Sequence, residues 1–157
     1  MLEFDIKIGA SDLYDYNLKY AFSKPANIIC EIFGILGLFY GIATQYWALV
    51  LVGALLVIYL PVTLFFRSKT AAMQSVFKEP LHYKLDDEAL TISKGEIETS
   101  QKWSDMVRAV STSRSILVFT TENAATIFPR NQLDGKEALL IQFISTHMDA
   151  SRVRIKA

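Results

Sequence analysis

Two neighbouring apolar segments decide the fold of this chain: ANIICEIFGILGLFYGIA at residues 26–43 and YWALVLVGALLVIYLPVTLFF at residues 46–66. As helices they would span roughly 27 and 31 Å, close to the hydrocarbon thickness of a bilayer, about 30 Å. Only Thr44 and Gln45 separate them, so the helices must return antiparallel. Neither segment carries the polar stripe of a helix packed on a soluble core. The sequence therefore predicts a transmembrane hairpin over residues 25–67.

The basic residues predict the orientation of this hairpin. The turn contains no Lys or Arg, whereas five basic residues flank its open ends: Lys19, Lys24, Arg67, Lys69 and Lys78. Because loops rich in Lys and Arg stay in the cytoplasm, both termini are expected there, with the hairpin in the inner (plasma) membrane.

Small residues inside the hairpin predict close helix packing. Gly34, Gly37 and Gly41 lie in the first segment and Gly53 in the second. Gly37 and Gly41 form a GxxxG pair, a spacing that lets two helix backbones approach. The glycines pack either the two spans of one chain or two copies of the chain. Pro61 removes one backbone hydrogen bond from the second span and predicts a kink.

Glu31 is the one charged residue between Pro25 and Phe66. A charged side chain near the centre of a membrane helix costs about 2.5–3.5 kcal/mol on insertion scales. Either Glu31 reaches the interface or a basic neighbour such as Lys24, or it is a polar site inside the membrane. The lone cysteine, Cys30, excludes an intrachain disulfide.

Residues 1–24 predict a strand followed by a juxtamembrane helix. Apolar and charged residues alternate over residues 2–8, as in a half-buried strand. Ser11 is a candidate cap for a helix over residues 12–20. We expect the strand to join the sheet that follows the hairpin, so that the hairpin interrupts one cytoplasmic domain.

Residues 68–157 predict an antiparallel sheet or barrel closed by a helix, which makes the fold class α+β. Residues 68–78 are expected to form a short helical extension or connector. Asp134 is a candidate cap for the closing helix, and residues 151–157 form a short basic tail. The strands are expected at residues 81–85, 90–93, 96–103, 106–112, 116–120 and 124–128.

The polar residues point to binding, and no catalytic, cofactor or metal motif is found. Sixteen basic and sixteen acidic residues cancel, which argues against a nucleic-acid partner. The turn at residues 86–88 is acidic but lacks the ligands of a defined cation loop. Basic residues at strand ends and turns are candidates for a rim that meets anionic lipid or a partner, or are ordinary solvated charges. They are Lys102, Arg108, Arg114 and Arg130.

Several segments, in order, resemble the YcxB-like family of bacterial membrane proteins. They are LEFDIKI (2–8), SDLYDYNLKYAF (11–22), the two apolar segments, YKLDDEALTIS (83–93), WSD (103–105) and IFPR (127–130). The resemblance implies a cytoplasmic domain with a pleckstrin-homology-like fold. It implies no catalytic residues.

Two functions follow as expectations. The first is a membrane-anchored binding or scaffolding module that holds a protein or peptide partner at the inner leaflet, in a groove between a sheet edge and the closing helix. The alternative is an oligomeric pore or accessory transporter subunit, assembled through the Gly37/Gly41 face around Glu31.

Overall fold

Helices and strands combine in a mixed α+β arrangement in the structure, a computed structural model that describes residues 1–155. Lys156, which belongs to the predicted basic tail, lies outside the described residues. The helices are α1 (Ala10–Ala21), α2 (Pro25–Ala43), α3 (Trp47–Ala72), α4 (Ser75–Lys78) and α5 (Glu137–His147). The strands are β1 (Leu2–Ile6), β2 (Leu81–Leu85), β3 (Ala89–Lys94), β4 (Ile97–Lys102), β5 (Arg108–Ser111), β6 (Ser115–Phe119), β7 (Ala125–Pro129) and β8 (Val153–Arg154).

The two apolar segments form helices α2 and α3, which pack against each other. Both are long and apolar enough to cross a membrane, and only 11% of the apolar window of each is buried. The turn between them is tight: Gln45 adopts a φ of 58°, and the backbone N–H of Tyr46 donates to the carbonyl of Gly41 at 2.9 Å.

Helix α3 is longer than the predicted span. It continues to Ala72, so its 26 residues extend about 39 Å. Residues 68–72 therefore extend α3, as one of the two alternatives predicted for residues 68–78, and the short helix α4 follows. The basic residues Arg67 and Lys69 lie on this continuous helix.

The N-terminal strand pairs with the first strand after the hairpin. β1 and β2 are antiparallel, with Leu2 opposite Leu85 and Ile6 opposite Leu81. The first sheet has the order β1-β2-β3-β4. In sequence, α1, α2 and α3 therefore lie between two strands that are neighbours in one sheet.

The expectation of one continuous sheet or barrel is wrong, because the strands form two four-stranded sheets. The second sheet has the order β7-β6-β5-β8, and β8 runs parallel to β5 where a tail was expected. A 3₁₀ turn, Trp103–Asp105, separates β4 from β5. Trp103 is buried there and its Nε1 donates to the carbonyl of Asp86 at 2.8 Å, which fixes the break.

The two sheets and α5, here called the β-domain, share one apolar core. The alternation predicted for β1 is present, since Phe4 and Ile6 are buried while Glu3 and Asp5 are exposed. Phe128 is fully buried. The rings of Phe4 and Tyr83 meet its ring edge-on, at centroid distances of 6.4 and 5.2 Å. Strands of both sheets thus supply the centre of the core.

Both predicted helix caps are wrong. Helix α1 begins at Ala10, and the carboxylate of Asp12 accepts the backbone N–H of Gly9 at 2.9 Å, so Ser11 is not the cap. Asp134 has a φ of 49°, in the left-handed region, and α5 begins only at Glu137. The carboxylate of Glu137 instead pairs with the guanidinium of Arg130.

Helix α1 joins the hairpin to the β-domain. On one side, Asn17 Nδ2 donates to Ser68 Oγ of α3 at 2.8 Å. On the other, the Tyr16 hydroxyl donates to the carbonyl of Asn123, in the β6–β7 turn, at 2.6 Å. Thr112, beyond β5, donates to the carboxylate of Asp15. These contacts fix the direction of the hairpin relative to the second sheet.

Candidate binding sites

Three of the four predicted packing glycines lie at the contact between α2 and α3. A Cβ on Gly53 would lie 2.7 Å from both the carbonyl oxygen of Gly34 and the backbone nitrogen of Leu38. A Cβ on Gly41 would lie 2.8 Å from the backbone nitrogen of Val50. These distances are too short for a side chain, so the helices approach through their backbones.

Gly37 has a different environment from Gly41. A Cβ on Gly37 would meet Leu49 Cδ1 at 3.7 Å, an ordinary van der Waals distance. The GxxxG pair is therefore divided: Gly41 is in close contact with α3 of the same chain, and Gly37 is not.

Glu31 does not form the expected pair with Lys24. Its Oε1 atom is buried without a hydrogen-bond partner. The ammonium of Lys24 lies 4.6 Å from the centroid of the Tyr20 ring, a cation–π contact.

The four predicted rim residues do not form one cluster. The guanidinium of Arg108 lies 4.3 Å from the centroid of the Phe119 ring, at one end of the second sheet. Arg114 follows the other end of β5, where the backbone N–H of Arg130 donates to its carbonyl at 2.9 Å. Lys102 is exposed at the end of β4. Because antiparallel strands separate their two ends, this set provides no single basic surface.

A cavity that the sequence reasoning missed lies at the base of the hairpin. This juxtamembrane cavity, of about 360 Å³, is enclosed by α1, the start of α2 and the second half of α3. In the sequence Lys24 and Arg67 indicate only the orientation of the hairpin, because residues 43 positions apart give no sign that they share a cavity. The lining residues are Asn17, Tyr20, Ala21, Lys24, Asn27, Leu60, Leu64, Arg67 and Ala71.

Three polar side chains of the juxtamembrane cavity are already hydrogen-bonded within the chain. Asn17 is engaged with Ser68, and Asn27 Nδ2 donates to the carbonyl of Ala21 at 2.9 Å. The Tyr20 hydroxyl donates to Asn123 Oδ1. These hydrogen bonds hold the walls in place. The two cations, Lys24 and Arg67, are the groups able to attract an anion.

A second site is the groove of about 290 Å³ between the start of β1 and helix α5. It lies at a sheet edge beside the closing helix, the position expected for a peptide partner. Leu139 is 53% exposed there and gives the groove an accessible apolar side chain. The lining residues are Met1, Leu2, Leu139, Gln142, Phe143, Thr146 and His147.

The acidic turn at residues 86–88 has a structural role in the chain. Asp86 Oδ1 accepts the backbone N–H groups of Glu88 and Ala89 at 3.0 and 2.8 Å. These two hydrogen bonds favour the ionised form and hold the pKa of Asp86 below its ordinary value. Among residues 1–155, no group of three or more His, Cys, Asp or Glu side chains is placed to hold a metal ion.

These features define the class of protein: an α+β domain interrupted by two apolar helices long enough to span a membrane. Residues 85–145 match the family model described as YcxB-like protein, which confirms the family resemblance over this segment. The match begins at the last residue of β2 and ends within α5, so it covers most of the β-domain and excludes the hairpin. No curated protein and no solved structure matches the chain.

Proposed function

We propose that the protein is a membrane-anchored binding module whose hairpin crosses the inner membrane twice, with both termini in the cytoplasm. The observation that carries this proposal is the pairing of β1 with β2 across the inserted hairpin. An anchor attached at one end of a domain leaves it free to rotate on a linker. An anchor inserted between two paired strands holds the β-domain by two connections.

Exposure and charge support the membrane location. Large apolar side chains are exposed along both helices, for example Phe33 (67%), Phe39 (66%) and Leu55 (61%). In water such a surface would favour aggregation, whereas in a bilayer it faces lipid. Arg67 and Lys69 follow the apolar part of α3, on the side where the β-domain lies. This distribution favours a cytoplasmic β-domain.

We infer that the partner is an extended polypeptide bound in the β1–α5 groove. β1 is an edge strand of its sheet, and an edge strand offers unpaired backbone groups that an extended peptide satisfies. The exposed side chain of Leu139 supplies an apolar contact beside that edge. We infer that the two sheets and α5 form a variant of the pleckstrin-homology-like fold in which the sheets do not close into a barrel.

The unpartnered carboxylate oxygen of Glu31 favours the second candidate, an oligomeric membrane component. A Gly37/Gly41 interface does not support it, because Gly41 already contacts Val50 of the same chain. Chemical crosslinking in native membranes, with Glu31→Gln beside wild type, tests it. Oligomers lost in Glu31→Gln would support this candidate, and an unchanged monomeric band in both would remove it.

The membrane topology is tested with single cysteines in a Cys30→Ser background. Thr44→Cys lies in the turn of the hairpin, and Ser113→Cys lies in the β5–β6 turn. A membrane-impermeant maleimide added to intact cells is expected to label Thr44→Cys and to label Ser113→Cys only after lysis. Equal labelling of both in intact cells would contradict the proposed topology.

The peptide groove is tested by photocrosslinking in native membranes, with the crosslinker placed in the groove of the full chain. A benzoylphenylalanine residue replacing Leu139 is expected to crosslink to a polypeptide. The same residue replacing Ser145, exposed on α5 outside the groove, serves as the matched control. Identical crosslinking from both positions would mean that the groove is not the site.

A further inference from the structure

We propose that the juxtamembrane cavity binds the head group of an anionic phospholipid, with the phosphodiester between Lys24 and Arg67 and an acyl chain along Leu60 and Leu64. This inference rests on the proposed membrane location of α2 and α3. It assigns a specific lipid contact to the base of the anchor, in addition to the peptide partner of the β-domain.

The position of the cavity fits the layer that holds lipid phosphates. Lys24 directly precedes α2, which begins at Pro25, and Arg67 directly follows Phe66, the last apolar residue of the predicted second span. Both cations therefore lie where the apolar parts of the two helices end. In a bilayer this level is the interface between hydrocarbon and head groups.

The charge of the cavity fits an anion. Its nine lining residues include two cations and no Asp or Glu. Neither Lys24 nor Arg67 takes part in the ion pairs formed within the described part of the chain. Lys24 also precedes the N-terminus of α2, whose helix dipole adds partial positive charge. A basic pocket beside transmembrane helices on the cytoplasmic side is a recognised form of anionic head-group site.

A neighbouring cavity of about 280 Å³ is a weaker candidate for the same ligand. It shares Tyr20 and Lys24 with the juxtamembrane cavity and adds Arg108. Its lining also includes Glu122, which opposes an anion there. Tyr20 and Lys24 line both cavities, and the juxtamembrane cavity is the one that has leucines of α3 in its wall and no acidic residue.

The apolar wall favours a lipid over a free anion. Leu60 and Leu64 lie on α3 one turn apart and line the cavity, and because Leu64 is only 8% exposed, Leu60 supplies most of the open apolar surface. A phosphate ion would leave this surface unused, whereas a phospholipid covers it with the glycerol and the first carbons of an acyl chain. A volume of about 360 Å³ lies within the range of small-ligand pockets.

Native mass spectrometry of the purified full chain, titrated with phosphatidylglycerol and with phosphatidylcholine, tests the proposal. The cavity variant is Lys24→Gln/Arg67→Gln. The matched control is Lys19→Gln/Lys69→Gln, which removes the same charge from exposed positions on α1 and α3 outside the cavity. Wild type and control are expected to prefer phosphatidylglycerol, and the cavity variant to bind it about 30-fold more weakly, about fivefold for each cation.

Three outcomes would overturn the lipid inference. They are equal losses in the control and cavity variants, no loss in the cavity variant, or displacement of the lipid by inorganic phosphate. The charge-retaining variant Lys24→Arg/Arg67→Lys is expected to keep the preference, which separates loss of charge from misfolding.

Alkaline carbonate extraction of membranes distinguishes this inference from the proposed function. If wild type is extracted, the membrane anchor itself is refuted. If wild type stays in the membrane without a preference for phosphatidylglycerol, only the lipid site is refuted.

Discussion

The hairpin and the β-domain bury opposite kinds of residue. In α2 the buried residues are Gly34 and Gly41, while the large apolar side chains point outward. In the β-domain the fully buried residues are large, such as Phe119, Phe128 and Leu140. Water drives large apolar groups inward, whereas lipid gives no such drive and helices associate through small residues. The two regions of the chain therefore pack by different rules. Each rule is the one expected for the surroundings that we propose, lipid for the hairpin and water for the β-domain.

The largest difference between the two regions is expected when a phenylalanine ring is removed from each. Phe128→Ala removes a fully buried side chain from the core and is expected to lower the free energy of unfolding of the β-domain by about 3–5 kcal/mol. Phe39→Ala removes a ring that is 66% exposed on α2 and is expected to leave that free energy unchanged. Denaturant titration in detergent measures both, followed by Trp103 fluorescence in a Trp47→Phe background, because Trp47 is the second tryptophan of the chain. Comparable losses would contradict the division into two packing rules.

Inside the hairpin, the glycine contacts predict which small residues hold the two helices together. Gly53→Ala places a methyl group 2.7 Å from backbone atoms of Gly34 and Leu38, so the helices must move apart. We expect a loss of about 1–3 kcal/mol in hairpin stability. Gly37→Ala is the matched control, since its methyl group would meet Leu49 at 3.7 Å. Crosslinking yield between cysteines placed on α2 and α3 reports the separation, and equal yields in both variants would contradict the assignment.

The glycine pair shows how far the sequence alone leads. The GxxxG spacing singled out Gly37 and Gly41, but the structure uses Gly34 and Gly41. Seven residues are about two helical turns, so positions 34 and 41 share one face, while position 37 lies about 60° from position 34 and about 40° from position 41. Spacing identified the kind of packing. The facing residue, Gly53, is needed to decide which glycines take part.

The β-domain shows the same limit. Alternation located β1 and β2, because a half-buried strand has a period of two, whereas β-compatible residues between turns located the later strands. It did not reveal that the sheet divides at Trp103, since a 3₁₀ turn of three residues has no periodicity. β8 has only two residues, Val153–Arg154, and pairs with β5 through tertiary contact alone. The juxtamembrane cavity was missed for a related reason, because Lys24 and Arg67 meet only after the hairpin folds.

A smaller effect is expected at the joint between the two regions. Asn17→Ala removes the donor to Ser68 Oγ, and Ser68 is only 1% exposed, so its hydroxyl loses a buried partner. We expect a cost of about 1–2 kcal/mol in overall stability. Asn131→Ala, at an exposed position, is the control. If hydrogen exchange of α1 is as slow in Asn17→Ala as in wild type, the contact does not hold the joint.

Removing the phenol of Tyr83 is expected to change stability least at neutral pH and to have a selective effect at high pH. Burial in the core raises the pKa of its phenol above the usual value near 10. A raised pKa in the folded state means that the folded chain keeps a proton that the unfolded chain releases. Stability is therefore full below about pH 10 and falls as the pH rises above it. Burial, followed by the neighbouring Tyr20, also raises the pKa of the Tyr16 phenol. The loss of stability of the wild type at high pH therefore has two sources, Tyr83 and Tyr16.

Tyr83→Phe separates these sources. It keeps the ring packed edge-on against Phe128, 5.2 Å between centroids, and removes the ionisable group. We expect almost no change near neutral pH and a smaller alkaline loss than in wild type. Tyr59→Phe, on the exposed face of α3, is the control, because its ring faces detergent or lipid and makes no core contact. Thermal unfolding between about pH 8 and 11 measures the difference. Equal losses of thermal stability at alkaline pH in wild type and Tyr83→Phe would mean that the core of the β-domain does not exclude water around Tyr83. The contrast between a dry core and a lipid-facing hairpin would then fail at this buried phenol.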